Sequence, residues 1–231
     1  MKRQVITTGD GSKTIQIQDW NEQYHSIHGA IQEANHVFIK HGLLYKTTSQ
    51  HNNSEKISLL EIGFGTGLNA FITLMQQSHL SVVIDYVGVE AYPVKQEEIA
   101  LLNYTEQLNA ADFELYYNKI HACSWEESHQ ITDDFTLTKQ QKFFKDIQDV
   151  SQYDLIYFDA FGARVQPELW TPSIFQIMYN ALKLEGVLVT YSAKGSVRRA
   201  MQEVGFTVER LPGPPGKREM LRATKSSSSS S

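Results

Sequence analysis

Three glycines within seven residues, Glu61-Ile62-Gly63-Phe64-Gly65-Thr66-Gly67, constrain this chain more than any other feature. The short apolar run 57–62 (ISLLEI) leads into them and reads as a buried strand. Residues 67–77 follow as a helix with Leu68, Phe71, Ile72 and Met75 on one face. A strand that passes through such a turn into a helix opens a parallel α/β sheet. Glycine permits the tight turn and lets the backbone come close to a ligand.

The rest of the chain repeats the alternation. Residues 82–89 form a second expected strand ending at Glu90, with a helix starting at Pro93, whose missing N–H costs nothing there. Residues 113–117 read as a third strand, 153–158 as a fourth ending at Asp159, and 186–191 as a fifth. Helices are expected over 167–182 and 195–204. Residues 206–211 and 219–223 flank the Pro/Gly-rich stretch 212–216 and suggest a closing antiparallel pair. The expected fold is α/β, a doubly wound, Rossmann-like sheet, mostly parallel with an antiparallel C-terminal strand. Residues 1–56 are expected as an N-terminal extension packing on the main domain, 57–225 as that domain, and 226–231 as a disordered serine tail. The polar residues 50–55 read as a loop, and 126–150 as a helical insertion or a mobile flap.

Composition excludes several classes. With 41% hydrophobic and 20% charged residues the chain is ordinary for a soluble globular protein. No apolar run reaches the length of a membrane span, and the start MKRQVITTGDGSKTI lacks the apolar core of a secretory signal. The single cysteine, Cys123, rules out an internal disulfide framework, fits a reducing cytoplasm, and reads as a buried inert thiol. The scattered histidines have no metal-ligand spacing, so no metal is expected. The net charge of −5 speaks against a general nucleic-acid binder. Yet residues 194–231 hold eight basic and three acidic side chains, which leaves −10 on the rest. Such a basic end is either a local phosphate-attracting face or a solvated surface.

A dinucleotide fingerprint would need glycine or alanine where Leu68 stands, and a phosphate-binding loop would need Gly-Lys-Ser/Thr. The spacing E-x-G-x-G-x-G instead resembles motif I of class I methyltransferases. Their cofactor, S-adenosylmethionine, has no phosphate and presents an ammonium suited to Glu61. Glu90, 23 residues past Gly67, is placed to accept both ribose hydroxyls. Asp159 ends the fourth expected strand at the edge where ligands sit. A carboxylate there can hydrogen-bond an attacking amine and orient its lone pair, an effect of proximity more than of strong base catalysis. A helix cap is the plainer alternative. Phe161, Trp170 and Tyr191 offer stacking faces for a base or serve as core.

Four stretches narrow the likeness: Tyr24-His25-Ser26 with His36-Val37-Phe38-Ile39; Leu60 through Asn69; Phe158-Asp159-Ala160-Phe161 with Pro167-Glu168-Leu169-Trp170-Thr171; and Ser196-Val197-Arg198-Arg199 with Gly205-Phe206 and Gly216-Lys217-Arg218-Glu219-Met220. Through them the chain resembles, over roughly residues 7–224, the methyltransferase domain of the bifunctional tRNA 5-methylaminomethyl-2-thiouridine biosynthesis family and its stand-alone relatives. The resemblance implies methylation of the exocyclic amine of 5-aminomethyl-(2-thio)uridine at the tRNA wobble position, by direct displacement from S-adenosyl-L-methionine. It implies cofactor contacts from Tyr24, Ser26, Glu61, Gly63, Gly65, Gly67, Asn69, Glu90 and Asp159, with Asp159 facing the amine as the catalytic group. It assigns Phe161, Lys194, Arg198, Arg199, Lys217 and Arg218 to the RNA of the anticodon stem-loop, whose wobble base must leave its stack. The loop 212–216 would shape the target pocket. A flavin-dependent oxidase follows in the bifunctional relatives; without it, methylation alone is expected, with upstream tRNA-modifying enzymes supplying the aminomethyl group. The alternatives are a small-molecule amine methyltransferase or aminopropyltransferase of the same fold, and a non-catalytic RNA-binding subunit.

Overall fold

Residues 2–48 and 55–226 are described by the computed structural model. Strands β1 (Arg3–Thr7), β2 (Lys13–Ile17) and β3 (Glu22–Gln23) form a small antiparallel sheet in that order. The main sheet comprises β4 (Lys56–Ile62), β5 (Val83–Val89), β6 (Ser128–Thr132), β7 (Phe135–Gln140), β8 (Tyr153–Phe158), β9 (Leu182–Thr190), β10 (Thr207–Pro212) and β11 (Glu219–Thr224). Their spatial order is β10-β11-β9-β8-β4-β5-β7-β6. The central five, β9-β8-β4-β5-β7, run parallel; β11 joins β9, β10 joins β11 and β6 joins β7 in antiparallel pairs. The chain leaves β4 toward β5 on one side and returns to β8 on the other. That reversal opens a crevice beyond the carboxyl ends of β4 and β8, where open α/β sheets bind ligands.

The central strands are continuous apolar runs because helices cover both faces. On one face Phe71 of the helix Leu68–Gln77 and Phe38 of the helical stretch Ala30–Thr48 pack with Tyr86 and Tyr157. The middle of that stretch, Asn35–Leu44, is wound as a π-helix. Its Gly42 lies so close to the sheet that an added Cβ would stand 3.0 Å from Val189 and 3.1 Å from Tyr157. On the other face Phe175 and Met178 of the helix Pro172–Ala181 and Val197 and Met201 of the helix Gly195–Glu203 pack with Ile156 and Phe158.

Several expectations need correction. Residues 113–117 are not a strand: a 3-10 turn, Ala111–Phe113, runs into a helix, Glu114–Ala122. Helical winding buries Tyr117, Ile120 and His121, which are spaced i, i+3 and i+4, and this outweighs the strand preference of the local aromatics. The third parallel strand is β7, inside the segment 126–150, which is therefore neither a helical insertion nor a flap but the β6–β7 hairpin and a 3-10 turn, Phe144–Asp146. In β7 Phe135, Leu137 and Lys139 point inward, and the Lys139 Nζ donates to the carbonyls of Ile120 (2.9 Å) and His121 (3.2 Å). Pro93 starts no helix; the short helix Gln96–Ile99 begins after Lys95, whose backbone N–H donates to Glu98 Oε2 at 2.9 Å. The helix expected over 167–182 breaks at Thr171, with a 3-10 turn, Pro167–Trp170, before it. Cys123 is half-buried, its thiol 3.3 Å from the Ile120 carbonyl. Of the expected loop 50–55 only Glu55 lies within the described residues, and of the serine tail only Ser226, which donates to Thr207 at 3.1 Å. Among the described residues no helix is long and apolar enough to cross a membrane, and no cluster of metal-ligating side chains is found.

Candidate active site

The glycine turn is tied to β5 by two backbone bonds: Gly63 N and Phe64 N each donate to the Val89 carbonyl at 3.0 Å. Its glycines are sterically required. Gly63 has φ +90°, and a Cβ there would lie 2.7 Å from the Asp159 carbonyl oxygen. Gly65 has φ +50°, and a Cβ there would lie 2.9 Å from the Tyr24 ring. Gly67, at the start of the helix, has φ +72°, and a Cβ there would lie 2.8 Å from the His121 ring. All three conformations are left-handed and strained for any side chain.

The turn fixes an acidic partner. Gly65 N donates to Glu90 Oε2 at 3.1 Å, and Tyr92 N donates to Glu90 Oε1 at 3.0 Å. The Ala91 amide also bonds to the carboxylate, which keeps a lone pair to accept a hydroxyl. Burial raises the Glu90 pKa, while the Tyr92 and Gly65 amides and the Arg3 guanidinium oppose that shift.

Gly63, Gly65, Asn69, Glu90 and Asp159 line a cavity of about 440 Å³ at the crevice. The N-terminal sheet roofs it through Arg3, Trp20 and Tyr24. Two arginines latch that roof. Arg3 donates to the Tyr92 carbonyl (2.8 Å) and to Glu98 (3.0 Å); Arg164 donates to Glu22 (2.8 Å) and to the Asn21 carbonyl (3.0 Å). Phe143 and Tyr92 stand half-exposed at the mouth, ring centroids 6.0 Å apart.

Below the cavity floor two carboxylates share one donor. Asn69 Nδ2 donates to Glu61 Oε1 and to Asp159 Oδ2, both at 2.9 Å. Glu61 is fully buried and does not reach the cavity; the Tyr86 hydroxyl donates to its other oxygen at 2.7 Å. Burial raises the Glu61 pKa well above the carboxylate range. Glu61 does not line the cavity; each of its oxygens accepts one bond, from Asn69 and from Tyr86, and through the first it positions Asn69, which does line the cavity. Asn69 Oδ1 is buried, without a hydrogen-bond partner, on a residue that lines the cavity. A vacant buried acceptor there suits the N–H donors of an ammonium. With the required glycines and the Glu90 oxygens, the residues present fit a nucleoside that carries an amino acid end. Asp159 itself opens onto the cavity. Burial and the nearby Glu33 carboxylate raise its pKa to about 7, against the Asn69 hydrogen bond and the Lys217 charge.

A second cavity of about 320 Å³ adjoins the first and shares Tyr24, His25, Ala160 and Phe161 as walls. The Phe161 ring meets Tyr24 edge-on at 4.9 Å. Burial pushes the His25 imidazole down to about 4, and its Nδ1 is 2.9 Å from the Thr14 hydroxyl. Ser26 lines this second cavity, not the first, and its Oγ accepts the His28 amide at 3.2 Å. Lys217 also lines it rather than standing on the basic face: its Nζ pairs with Glu33 and lies 3.8 Å from the Tyr191 ring centroid. Trp170 is core, its indole N–H bonded to the Phe161 carbonyl at 2.8 Å. Lys194, Arg198, Arg199 and Arg218 stand on or near the surface and make no ion pair among the described residues. Arg3, Trp20, Phe143 and Glu33 escaped sequence reasoning. They belong to no motif, and only the adjacent Phe143-Phe144 pair in a polar segment hinted at a site.

Comparison with known proteins agrees with this geometry. A profile for S-adenosyl-L-methionine-dependent methyltransferases matches residues 105–226. The chain is 28% identical over 212 residues to the tRNA 5-methylaminomethyl-2-thiouridine biosynthesis bifunctional protein MnmC of Azoarcus sp., covering 88% of this chain and 33% of that protein. It is 25% identical over 226 residues to the MnmC of Hydrogenovibrio crunogenus, covering 95% and 33%. The chain thus spans about a third of the length of the curated relatives it matches. In fold it is similar to MNMC2 from Aquifex aeolicus, with a TM-score of 0.76 at 23% identity over 97% of this chain and 70% of that one. A probable spermidine synthase from Corynebacterium glutamicum shares the fold at a TM-score of 0.55 and 14% identity, over 97% and 77%. The turn, the vacant Asn69 acceptor and the profile agree: the chain belongs to the family of S-adenosyl-L-methionine-dependent methyltransferases.

Proposed function

We propose that this chain methylates the exocyclic amine of 5-aminomethyl-(2-thio)uridine at the wobble position of tRNA. The observation that carries the proposal is Asp159, a carboxylate on the first cavity whose neighbours Ala160 and Phe161 wall both cavities. The MnmC relatives, aligned over nearly the whole chain, supply the substrate class.

S-adenosyl-L-methionine, when bound, supplies an electrophilic methyl group on a sulfonium. Gly63, Gly65, Asn69, Glu90 and Tyr24 would hold it, Asn69 through its free Oδ1 and Glu90 through its remaining lone pair. An alkylammonium must first lose a proton to solvent, and the neutral amine then attacks with its lone pair. Asp159, with its pKa near 7, is about half ionised at neutral pH and accepts a hydrogen bond from the incoming amine. It takes the proton that the nitrogen releases once methylated. The main contribution is orientation of the lone pair. The roof formed by Trp20 and Tyr24 excludes water from the reacting groups.

The stem-loop phosphates would meet Lys194, Arg198, Arg199 and Arg218. A separate tRNA-modifying enzyme would furnish the aminomethyl group, and the reaction belongs in the cytoplasm with its tRNA. Nucleoside analysis of tRNA from a strain lacking this protein tests the proposal. Accumulation of 5-aminomethyluridine species is expected. Unchanged wobble nucleosides would remove the tRNA assignment and leave the cofactor assignment standing.

A further inference from the structure

Glu33 and Lys217 form an ion pair whose carboxylate is buried and whose lysine side chain stays about 30% exposed. Burying the carboxylate costs desolvation that the attraction of a partly solvated ammonium only offsets, so the pair is weak evidence for stability. The pair sits in the wall of the second cavity, with Glu33 only 5% exposed. Its two hydrogen-bonding capacities are only partly used. Glu33 Oε1 accepts the Ser26 amide at 3.2 Å and Oε2 takes Lys217, so each oxygen retains a lone pair. Lys217 has three donors; one points to Glu33, and the ammonium rests on the Tyr191 ring 3.8 Å away. An acceptor and a donor therefore stand side by side in the wall of a cavity that Phe161 and Tyr191 also line.

We propose that this pair reads the pairing edge of a uracil ring, Glu33 accepting the ring imide N–H and Lys217 donating to the adjacent ring carbonyl. The inference rests on the amine-methylation proposal above and adds the base-selecting element to it. A uracil presents N–H beside C=O, which matches the pair. A cytosine presents a bare ring nitrogen beside an amine, so its lone pair faces the Glu33 carboxylate and its N–H faces the Lys217 ammonium. Both contacts are reversed. The ring enters the second cavity beside Phe161, and its aminomethyl arm extends past Ala160 toward Asp159. Glu33 and Lys217 both act electrostatically on Asp159, so the base-reading pair and the reacting carboxylate lie within range of each other.

The test uses the full chain, S-adenosyl-L-methionine and two synthetic anticodon stem-loop RNAs, one with 5-aminomethyluridine and one with 5-aminomethylcytidine at the same position. The uridine RNA should be methylated with a kcat/KM about 100-fold higher, the order expected for two mismatched hydrogen bonds to a base edge. Glu33→Gln keeps the side-chain shape and an acceptor for the Ser26 amide. It should raise KM for the uridine RNA about tenfold and bring the uridine-to-cytidine ratio close to one. Its affinity for S-adenosylhomocysteine, measured by calorimetry, should not change. Equal rates on the two RNAs, or an unaltered ratio in Glu33→Gln, would overturn the assignment while amine methylation stands. Methylation of neither RNA by a chain that binds S-adenosylhomocysteine would overturn amine methylation and this assignment together.

Discussion

Asn69 holds Asp159 through a hydrogen bond of 2.9 Å from Nδ2 to Oδ2, and the same nitrogen donates to Glu61 at 2.9 Å. The bond favours the ionised form of Asp159, against burial and Glu33. Asn69→Ala removes it. The Asp159 pKa should then rise from about 7 by roughly one unit, the value of a charge-assisted hydrogen bond in a partly solvated site. On the proposed mechanism the ionised form receives the amine, so the acidic limb of kcat/KM against pH should move upward by that amount. An unmoved limb would show that another group titrates there.

Asp159→Asn separates chemistry from stability. Turnover should fall about 100-fold or more with S-adenosylhomocysteine affinity retained, since the carboxylate acts on the acceptor amine. Stability should respond in the opposite sense. The folded-state pKa of about 7 lies above the ordinary aspartate value of 3.8, so between those two values the native state holds a proton that the unfolded chain has lost. Wild-type stability contributed by this group is complete below about pH 4 and declines as pH rises through about 7. Asparagine does not titrate. Thermal melts should therefore show Asp159→Asn gaining on the wild type between pH 4 and pH 8. A constant difference across that range would mean that Asp159 does not titrate on folding.

The parallel core was legible because its signals are local. The run before Gly63 is apolar enough to be a central strand, and the glycine spacing demands a turn whatever the rest of the chain does. Strand β7 was not legible: Phe135-Thr-Leu-Thr-Lys-Gln hides a buried strand behind polar residues, and Lys139 is tolerated inside because it finds two helix-terminal carbonyls and the Trp125 ring, whose centroid is 5.2 Å from its Nζ. The site divides the same way. Glu90 and Asp159 could be read from their positions at strand ends. For Glu61 the motif was legible, but nothing in the sequence reveals that Tyr86, a strand away, donates to its second oxygen or that Asn69 rather than Glu61 lines the cavity. The pairing of Glu33 with Lys217 spans 184 residues and has no local trace.

Gly63 and Gly65 should fail differently when substituted. At Gly63 the obstacle is the Asp159 carbonyl at 2.7 Å, which is backbone and cannot swing away. Gly63→Ala should cost about 1–3 kcal/mol of stability, from strain at φ +90° and a forced shift of the β8 end, and should abolish cofactor binding. At Gly65 the obstacle is the Tyr24 ring, which can rotate. Gly65→Ala should melt within a few degrees of the wild type yet bind S-adenosylhomocysteine at least tenfold more weakly, because it fills the cradle beside Glu90. Equal effects of the two substitutions on stability and binding would contradict these close approaches.

The basic end of the chain sorts into neutralised and available charge. Arg222 pairs with Glu209 at 2.9 Å, Arg210 with Glu219 at 3.7 Å, and Lys217 with Glu33. Lys194, Arg198 and Arg199 cluster at the start of the helix Gly195–Glu203, just past the carboxyl end of β9, and Arg218 follows Lys217 beside the second cavity. An RNA that inserts a base into that cavity brings its phosphates to these side chains, and each phosphate neutralised releases a counterion. Arg198→Ala with Arg199→Ala should therefore weaken stem-loop binding for any loop sequence. It should also flatten the slope of log affinity against log salt by about 1.5, close to the single-strand value for two lost contacts. Affinity for S-adenosylhomocysteine should be untouched. Fluorescence anisotropy across a salt series measures the slope directly; an unchanged slope would move the phosphate contacts to another face of the protein.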